Sequence, residues 1–237
     1  MDNNVETLKE YLVFASHILS KEGVVTSHGH ISARIPGTDK FLIPARRTPG
    51  LVRFEDILTF NLANEQLEGE GKPNSETILH TVVYRRRPDV NSVCHIHSLK
   101  SLMLSAVGLS LRTLTHHGMF FCDGVPIFHR PVIIVKESFA EDMAKTLGQH
   151  RAVQLRGHGL VVVGPDVRRA CIETLNFEQE AEIMINAMQL GKPQFLTAEE
   201  LADQQGSSPL GPDWTGEMPL QLRRMWNYYV SRLSPQV

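Results

Sequence analysis

Apolar residues recur at helical spacing over residues 5 to 21, at Leu8, Leu12, Val13, Ala15, Ile18 and Leu19, and the run ends at Gly23. This pattern predicts an amphipathic helix closed by a glycine just past its last turn. The period then changes. HISARIP and KFLIPA alternate apolar with polar residues around the turn-rich PGTD and predict a hairpin, and DILTFNL predicts a third strand. NSETILHTVVYRRRP opens on Asn and Ser, both good N-cap residues, carries apolar residues at 78, 79, 82 and 83, and stops before Pro88. It predicts a helix with Asn74, Ser75 and Glu76 at its start.

NSVCHIHS predicts a strand, and the small and apolar residues 99 to 107 a helix. VPIF and PVIIV follow, then a helix over about 138 to 148 and two apolar runs, RAVQLRGHG and LVVVG, with a strand junction at His158. DVRRACIETLNFEQEAEIMINAMQLG, with an Asp start and a Gly-Lys-Pro stop, is the clearest helix of the chain. GSSPLGPDWTG reads as loop and PLQLRRMWNYYVSRL as a closing helix. Helices at both ends and between pairs of strands predict one layered α/β domain without an internal repeat.

Composition narrows the function classes. With 42% hydrophobic residues, 21% charged and a formal net charge of −2, the chain is expected to fold and shows no bulk attraction to nucleic acid. The N-terminus lacks a basic segment followed by an apolar core, and no stretch reaches the roughly 20 apolar residues of a membrane span. A cytoplasmic protein without membrane contact is therefore expected. The three cysteines, at 94, 122 and 171, have no paired spacing and are expected to be reduced.

The chemistry is concentrated in the histidines, of which there are 11. In a strand, residues i and i+2 share a face, so His95 and His97 of CHIHS can address one metal ion while Ile96 enters the core. Two hydrogen-bonded imidazoles in a half-buried strand would produce the same pattern. His158 lies between two glycines in RGHG, where a bound group can approach closely, although a turn histidine fits as well. Asn74 and Ser75, at a helix start, can hold an anion; Glu76 beside them serves either chemistry or helix electrostatics.

Four motifs in this order resemble the class II aldolase and adducin-head family over about residues 5 to 195. VVTSHGHISARIP stands where the family often has T-x-G-N-x-S-x-R, KPNSE where it has K-P-S-S-E, CHIHS supplies its H-x-H, and GHG its third histidine. The resemblance implies a three-layer α/β/α sandwich around a mixed, largely antiparallel sheet, usually in a homotetramer with active sites between neighbouring subunits. Residues 1–237 would form a single such domain, its tail from about 196 packing at the subunit interface. His95, His97 and His158 would ligate a divalent cation (Zn2+, Mn2+, Fe2+ or Co2+, which sequence does not distinguish), with Glu76 as the acid/base beside it.

Departures from the family pattern point to the substrate. The family's sugar-phosphate enzymes bind phosphate with the Asn of G-N, a T-P-S-G loop and two serines before the Glu. Here those positions hold His30, the segment Ile43-Pro44-Ala45-Arg46 followed by Arg47, and Asn74 before Ser75. Guanidinium and imidazole groups suit a carboxylated small molecule, with Arg46 and Arg47 gripping a carboxylate and His28 and His30 adding hydrogen bonds. The alternative places the two arginines at the surface or a subunit contact. In THHGMFFCDG the catalytic Asp of the phosphopentulose epimerases becomes Gly118, which disfavours epimerisation; His116 and His117 are candidate proton donors or substrate ligands. Phe120 and Phe121 fit either an aromatic pocket or the core.

The family's decarboxylases of hydroxylated ring dicarboxylates match this chain best. The resemblance then implies a cation chelating a ring hydroxyl and a carboxylate oxygen, with Glu76 or His117 protonating the carbon that loses CO2. Class II aldol cleavage of an unphosphorylated or acidic substrate is the rival activity, and an adducin-like binding module the non-catalytic one.

Overall fold

The computed structural model describes residues 4–207 and 218–233. The first helix, α1 (Val5–Lys21), is capped by Asn4, whose side chain accepts from the Glu6 amide at 3.1 Å. The expected hairpin forms from β1 (Gly29–Arg34) and β2 (Lys40–Pro44), and β3 (Ile57–Asn61) pairs antiparallel with β2. A short exposed strand, β4 (Gln66–Glu68), adds an edge that hydrophobic patterning does not mark. Next come α2 (Thr77–Arg86), β5 (Ser92–Ile96), α3 (Leu99–Ala106), β6 (Ile127–Phe128) and α4 (Glu137–Leu147). The strands β7 (Ala152–Leu155) and β8 (Gly159–Gly164) precede the long α5 (Val167–Leu190), which begins at Asp166 and ends at Gly191 as expected.

The eight strands form one sheet in the order β4-β3-β2-β1-β5-β8-β7-β6, antiparallel throughout except for the parallel β6–β7 pair. Alternation along the central strands divides the core in two. Ile31, Leu42, Cys94, Ile96, Leu160 and Val162 face α1, α3 and α5, whereas Phe41, Ile43, Val93, Val161 and Val163 face α2 and α4. The result is the α/β/α sandwich with a mixed, largely antiparallel sheet.

The apolar run PVIIV joins no strand; Ile134 is buried while Ile133 and Val135 are exposed, and its backbone serves the site described below. Two local expectations are corrected. The helix after KPNSE starts at Thr77 with Glu76 at the N-cap, and Asn74 and Ser75 lie in the preceding turn. Part of the tail is helical: α6 spans Ala198–Ser207, so GSSPLGPDWTG begins inside it and from residue 208 to its end at 216 lies outside the described residues. The closing helix α7 (Leu220–Ser231) packs Leu222, Trp226 and Tyr229 into the α1/α5 side of its own chain. Phe120 and Phe121 are core residues on that same side. Cys94 and Cys171 are buried, and all three cysteines are free thiols.

The serine and arginine of HISAR act on α2. Arg34 donates to the carbonyls of Val90 (2.9 Å), Tyr84 (2.7 Å) and Arg87 (3.2 Å), which ties β1 to the helix C-terminus where carbonyls lack intrahelical partners. Ser32, two residues earlier on the same strand face, bonds to His80 and Tyr84 from the middle of α2. Together they set the position of a helix that carries Glu76 at its other end. Among the described residues no helix is long and apolar enough to cross a membrane.

Candidate metal centre and substrate pocket

The three histidines and Glu76 meet at one end of the central strands. His95 lies near the end of β5, its side chain on the α2 face of the sheet and fully buried. His97 follows one residue past the strand, half-buried, and His158 sits in the β7–β8 turn. That turn closes with the His158 amide on the Leu155 carbonyl at 3.0 Å and needs Gly157 at φ +69°, a value that L side chains rarely adopt. Ring centroids are 5.2 Å apart for His95–His97 and 4.9 Å for each of these with His158. One donor atom from each of the three histidines and from Glu76 lies within 4.8 Å of the others.

Hydrogen bonding gives this cluster its chemistry. His95 Nδ1 donates to the Leu160 carbonyl at 3.0 Å, which leaves Nε2 as a buried lone pair without a hydrogen-bond partner. That nitrogen faces Glu76 Oε2 at 3.4 Å, and His158 Nε2 stands 3.4 Å from the same oxygen. A buried lone pair turned toward a carboxylate suits a cation beside it, whether a proton or a metal ion. Both ring nitrogens of His158 are likewise buried without a hydrogen bond. Three imidazoles and a carboxylate on one point fit a divalent transition metal.

Glu76 is held from behind. Its Oε1 accepts from the Ile134 amide at 2.8 Å, which is the task of the PVIIV segment. Burial alone would raise this carboxyl, but N–H donation and positive charge on the His158 and His95 side outweigh it and hold the group well below the usual carboxylate range. Glu76 is thus ionised near pH 7. Burial, reinforced by His95, pushes His97 down to about 4 and His30 to about 3, so both rings are neutral near pH 7.

Beside the cluster lies a pocket of about 280 Å3 bordered by Glu76, His97 and all six residues expected to bind substrate: His28, His30, Arg46, Arg47, Asn74 and Ser75. His28 stacks on His97 with ring centroids 5.7 Å apart and planes 3° from parallel. Asn74 Nδ2 donates to the Pro44 carbonyl at 2.8 Å and so joins the loop before α2 to the Ile43–Arg46 loop. The two arginines differ. Arg47 is paired with the buried Asp56 at 2.9 Å, whereas the Arg46 guanidinium has no carboxylate partner among the described residues.

His117 is placed elsewhere. Its Nδ1 contacts Asn176 Oδ1 of α5 at 3.0 Å, on the side of the sheet opposite α2, and within the chain neither it nor His116 borders the pocket. The loop is anchored by Glu180, which is fully buried and accepts from the Thr115 amide at 3.0 Å, from Thr115 Oγ1 at 2.5 Å and from the Leu114 amide. A Cβ on Gly118 would stand 2.8 Å from Glu180 Oε1 and 2.9 Å from Thr113 Cγ2. Sequence reasoning missed His80, buried in α2 behind His30, and Thr48 at the pocket edge. The one available signal for His80 was a histidine four residues before a tyrosine, set among the apolar residues 78, 79, 82 and 83 of the helix.

Comparison with known proteins matches residues 10–185 to the family described as Class II Aldolase and Adducin N-terminal domain. Similar curated proteins include a 3,4-dihydroxyphthalate decarboxylase of Terrabacter sp., 30% identical over 222 residues, covering 86% of this chain and 87% of the relative. An L-fuculose phosphate aldolase of Methanocaldococcus jannaschii is 28% identical over 179 residues (75% and 94%). A methylthioribulose-1-phosphate dehydratase of Klebsiella pneumoniae is 30% identical over 188 residues (73% and 93%). Among solved structures, an aldolase II superfamily protein from Pseudomonas syringae superposes with a TM-score of 0.82 at 22% identity, covering 95% of this chain and 91% of that one.

Proposed function

The chain belongs to the class II aldolase and adducin N-terminal domain family, whose members similar to it are lyases, and from that premise we propose that it is a metal-dependent decarboxylase of a hydroxylated aromatic dicarboxylate. The observation that carries this reading is the pocket wall: Arg46, without a carboxylate partner among the described residues, lines with Arg47, His28 and His30 the pocket that Glu76 and His97 border. A planar guanidinium forms paired hydrogen bonds to a planar carboxylate, and Arg46 is the one free to do so. At about 280 Å3 the pocket suits a single substituted ring.

When bound by His95, His97 and His158, a divalent cation supplies Lewis acidity toward a ring hydroxyl and the departing carboxylate. The chain's own residues do the rest. Arg46 holds the carboxylate that is retained, with His28, His30 and Ser75 around the ring substituents. Glu76, ionised, takes the proton of the ring hydroxyl; after the carbon–carbon bond breaks and CO2 leaves with the pair returned to the ring, it delivers that proton to the vacated carbon. Solvent then restores the hydroxyl proton, so the turnover consumes one proton and releases one CO2.

The direct test is CO2 release from 3,4-dihydroxyphthalate and from hydroxylated pyridine dicarboxylates, lost with a chelator and restored by Mn2+, Zn2+ or Co2+. Formation of an aldehyde without CO2 would select aldol cleavage instead, and a chain that takes up no divalent metal would select a binding module. Arg46→Ala is expected to raise KM for the dicarboxylate roughly tenfold or more with a smaller change in kcat; an unchanged KM would move Arg46 out of the site.

We further propose a homotetramer in which the His116–Phe121 segment of one copy, which lies away from the metal cluster of its own chain, serves a neighbour's pocket through His117. Mixing His97→Ala with His117→Ala subunits is then expected to restore part of the activity that each lacks alone; no recovery in verified mixed oligomers would refute the shared site.

A further inference from the structure

Behind the pocket, four side chains form a continuous hydrogen-bonded chain, and three of them have no part in the reaction scheme above. Tyr84 OH lies 2.7 Å from Ser32 Oγ, Ser32 Oγ 2.7 Å from His80 Nδ1, and His80 Nε2 2.7 Å from His30 Nδ1. Ser32, His80 and Tyr84 are at most 1% exposed, so each polar atom must find its partner within the protein. Of the four, His30 alone borders the pocket.

Donor accounting gives this relay a direction. The Tyr84 hydroxyl has Ser32 Oγ as its short-range acceptor. Ser32 then has its own proton for either His80 Nδ1 at 2.7 Å or the Val93 carbonyl at 3.5 Å, and the shorter bond is the stronger. With Nδ1 accepting, neutral His80 carries its proton on Nε2 and donates to His30 Nδ1. The remaining proton of a neutral His30 must sit on Nε2. In the reverse direction one buried proton is stranded: if Ser32 donates to Tyr84 OH, the Tyr84 hydroxyl loses its acceptor, and if Tyr84 donates, Ser32 has only the 3.5 Å contact with the Val93 carbonyl.

We propose that Tyr84, Ser32 and His80 are positioning residues that fix His30 as a hydrogen-bond donor, with Nε2–H directed at an anionic oxygen of the bound substrate. The direction of the relay also argues against His30 as a further metal ligand or a general base, because its pocket nitrogen has no free lone pair. The ligand part of this inference rests on the carboxylate reading of the pocket; the proton placement does not.

Nitrogen-15 solid-state NMR of the full-length protein labelled in its histidine rings tests the placement, with the His30 signals identified by their loss in His30→Asn. The expected result is a protonated Nε2 and a bare Nδ1; a bare Nε2, or an even mixture of the two tautomers, overturns the proposal. Ser32→Ala should mix the tautomers, and the wild-type spectrum decides the matter even where that variant does not fold. Calorimetry with phthalate as the probe tests the ligand: His30→Leu is expected to weaken binding roughly tenfold, as loss of a hydrogen bond to a charged group would. Unchanged affinity overturns the donor role. Failure of phthalate to bind wild-type protein, beside a protonated Nε2, would instead count against the carboxylate reading.

Discussion

Full-length protein carrying His95→Ala is expected to lose its bound divalent metal and its turnover together, whereas Glu76→Gln should keep the metal and lose turnover alone. His95 is fully buried, its tautomer is set by the Leu160 carbonyl, and its free Nε2 faces the Glu76 carboxylate. Alanine removes that lone pair and puts no donor in its place. Loss of an outer-shell partner alone commonly costs 10- to 100-fold in metal affinity, so loss of a ligand should exceed about 100-fold. Gln at 76 preserves shape and the bond from the Ile134 amide but cannot take a proton; a decrease of roughly 10²- to 10⁴-fold in kcat is expected. Metal content after dialysis, measured beside turnover, separates the two. Equal metal loss in both variants would make Glu76 a fourth ligand rather than the proton carrier.

Gly159→Ala should be the most damaging single methyl group in the site. A Cβ there would stand 2.2 Å from the Ile96 carbonyl oxygen and 3.0 Å from His97 Cα, both backbone atoms that cannot swing aside. Gly159 is the first residue of β8, paired with β7 at Leu155, and its carbonyl accepts from Ser101 Oγ at 2.9 Å. Relief would require β5 and β8 to separate where they carry His95, His97 and His158. A cost of about 3 kcal/mol is expected, at the upper end for overpacking, which corresponds to a fall in Tm of roughly 10 °C for a chain of this size. Metal affinity should fall with it. A variant with wild-type Tm and metal content would show that the two strands are not in such close contact.

The metal cluster was legible because its signals are local. Alternation in CHIHS placed His95 and His97 on one side, and the glycines of RGHG marked a turn. The shared pocket lining was signalled by positions where arginine and histidine replace small polar groups. What escaped depends on contacts between distant segments. PVIIV reads only as an apolar run, and its task, an Ile134 amide donated to Glu76 rather than to a sheet neighbour, depends on a residue 58 positions away. β4 is three exposed residues at the sheet edge, and pairing with β3 rather than burial makes it a strand. The N-cap of α2 moved to Glu76 because Asn74 uses its side chain to hold the Pro44 carbonyl. His80 owes its meaning to His30 and Ser32, about fifty residues away in sequence.

The tight fit between Gly118 and Glu180 also limits how this chain could change its chemistry. An aspartate at 118, as the epimerases carry, would put a side chain 2.8 Å from a buried glutamate that already holds the loop by three hydrogen bonds. Crowding and like charge both oppose it. Any mutational path toward that aspartate, natural or designed, must alter Glu180 first, and the intermediate must survive a loop stripped of its anchor. The order of steps is therefore constrained, and the shortest route runs through the least stable sequence.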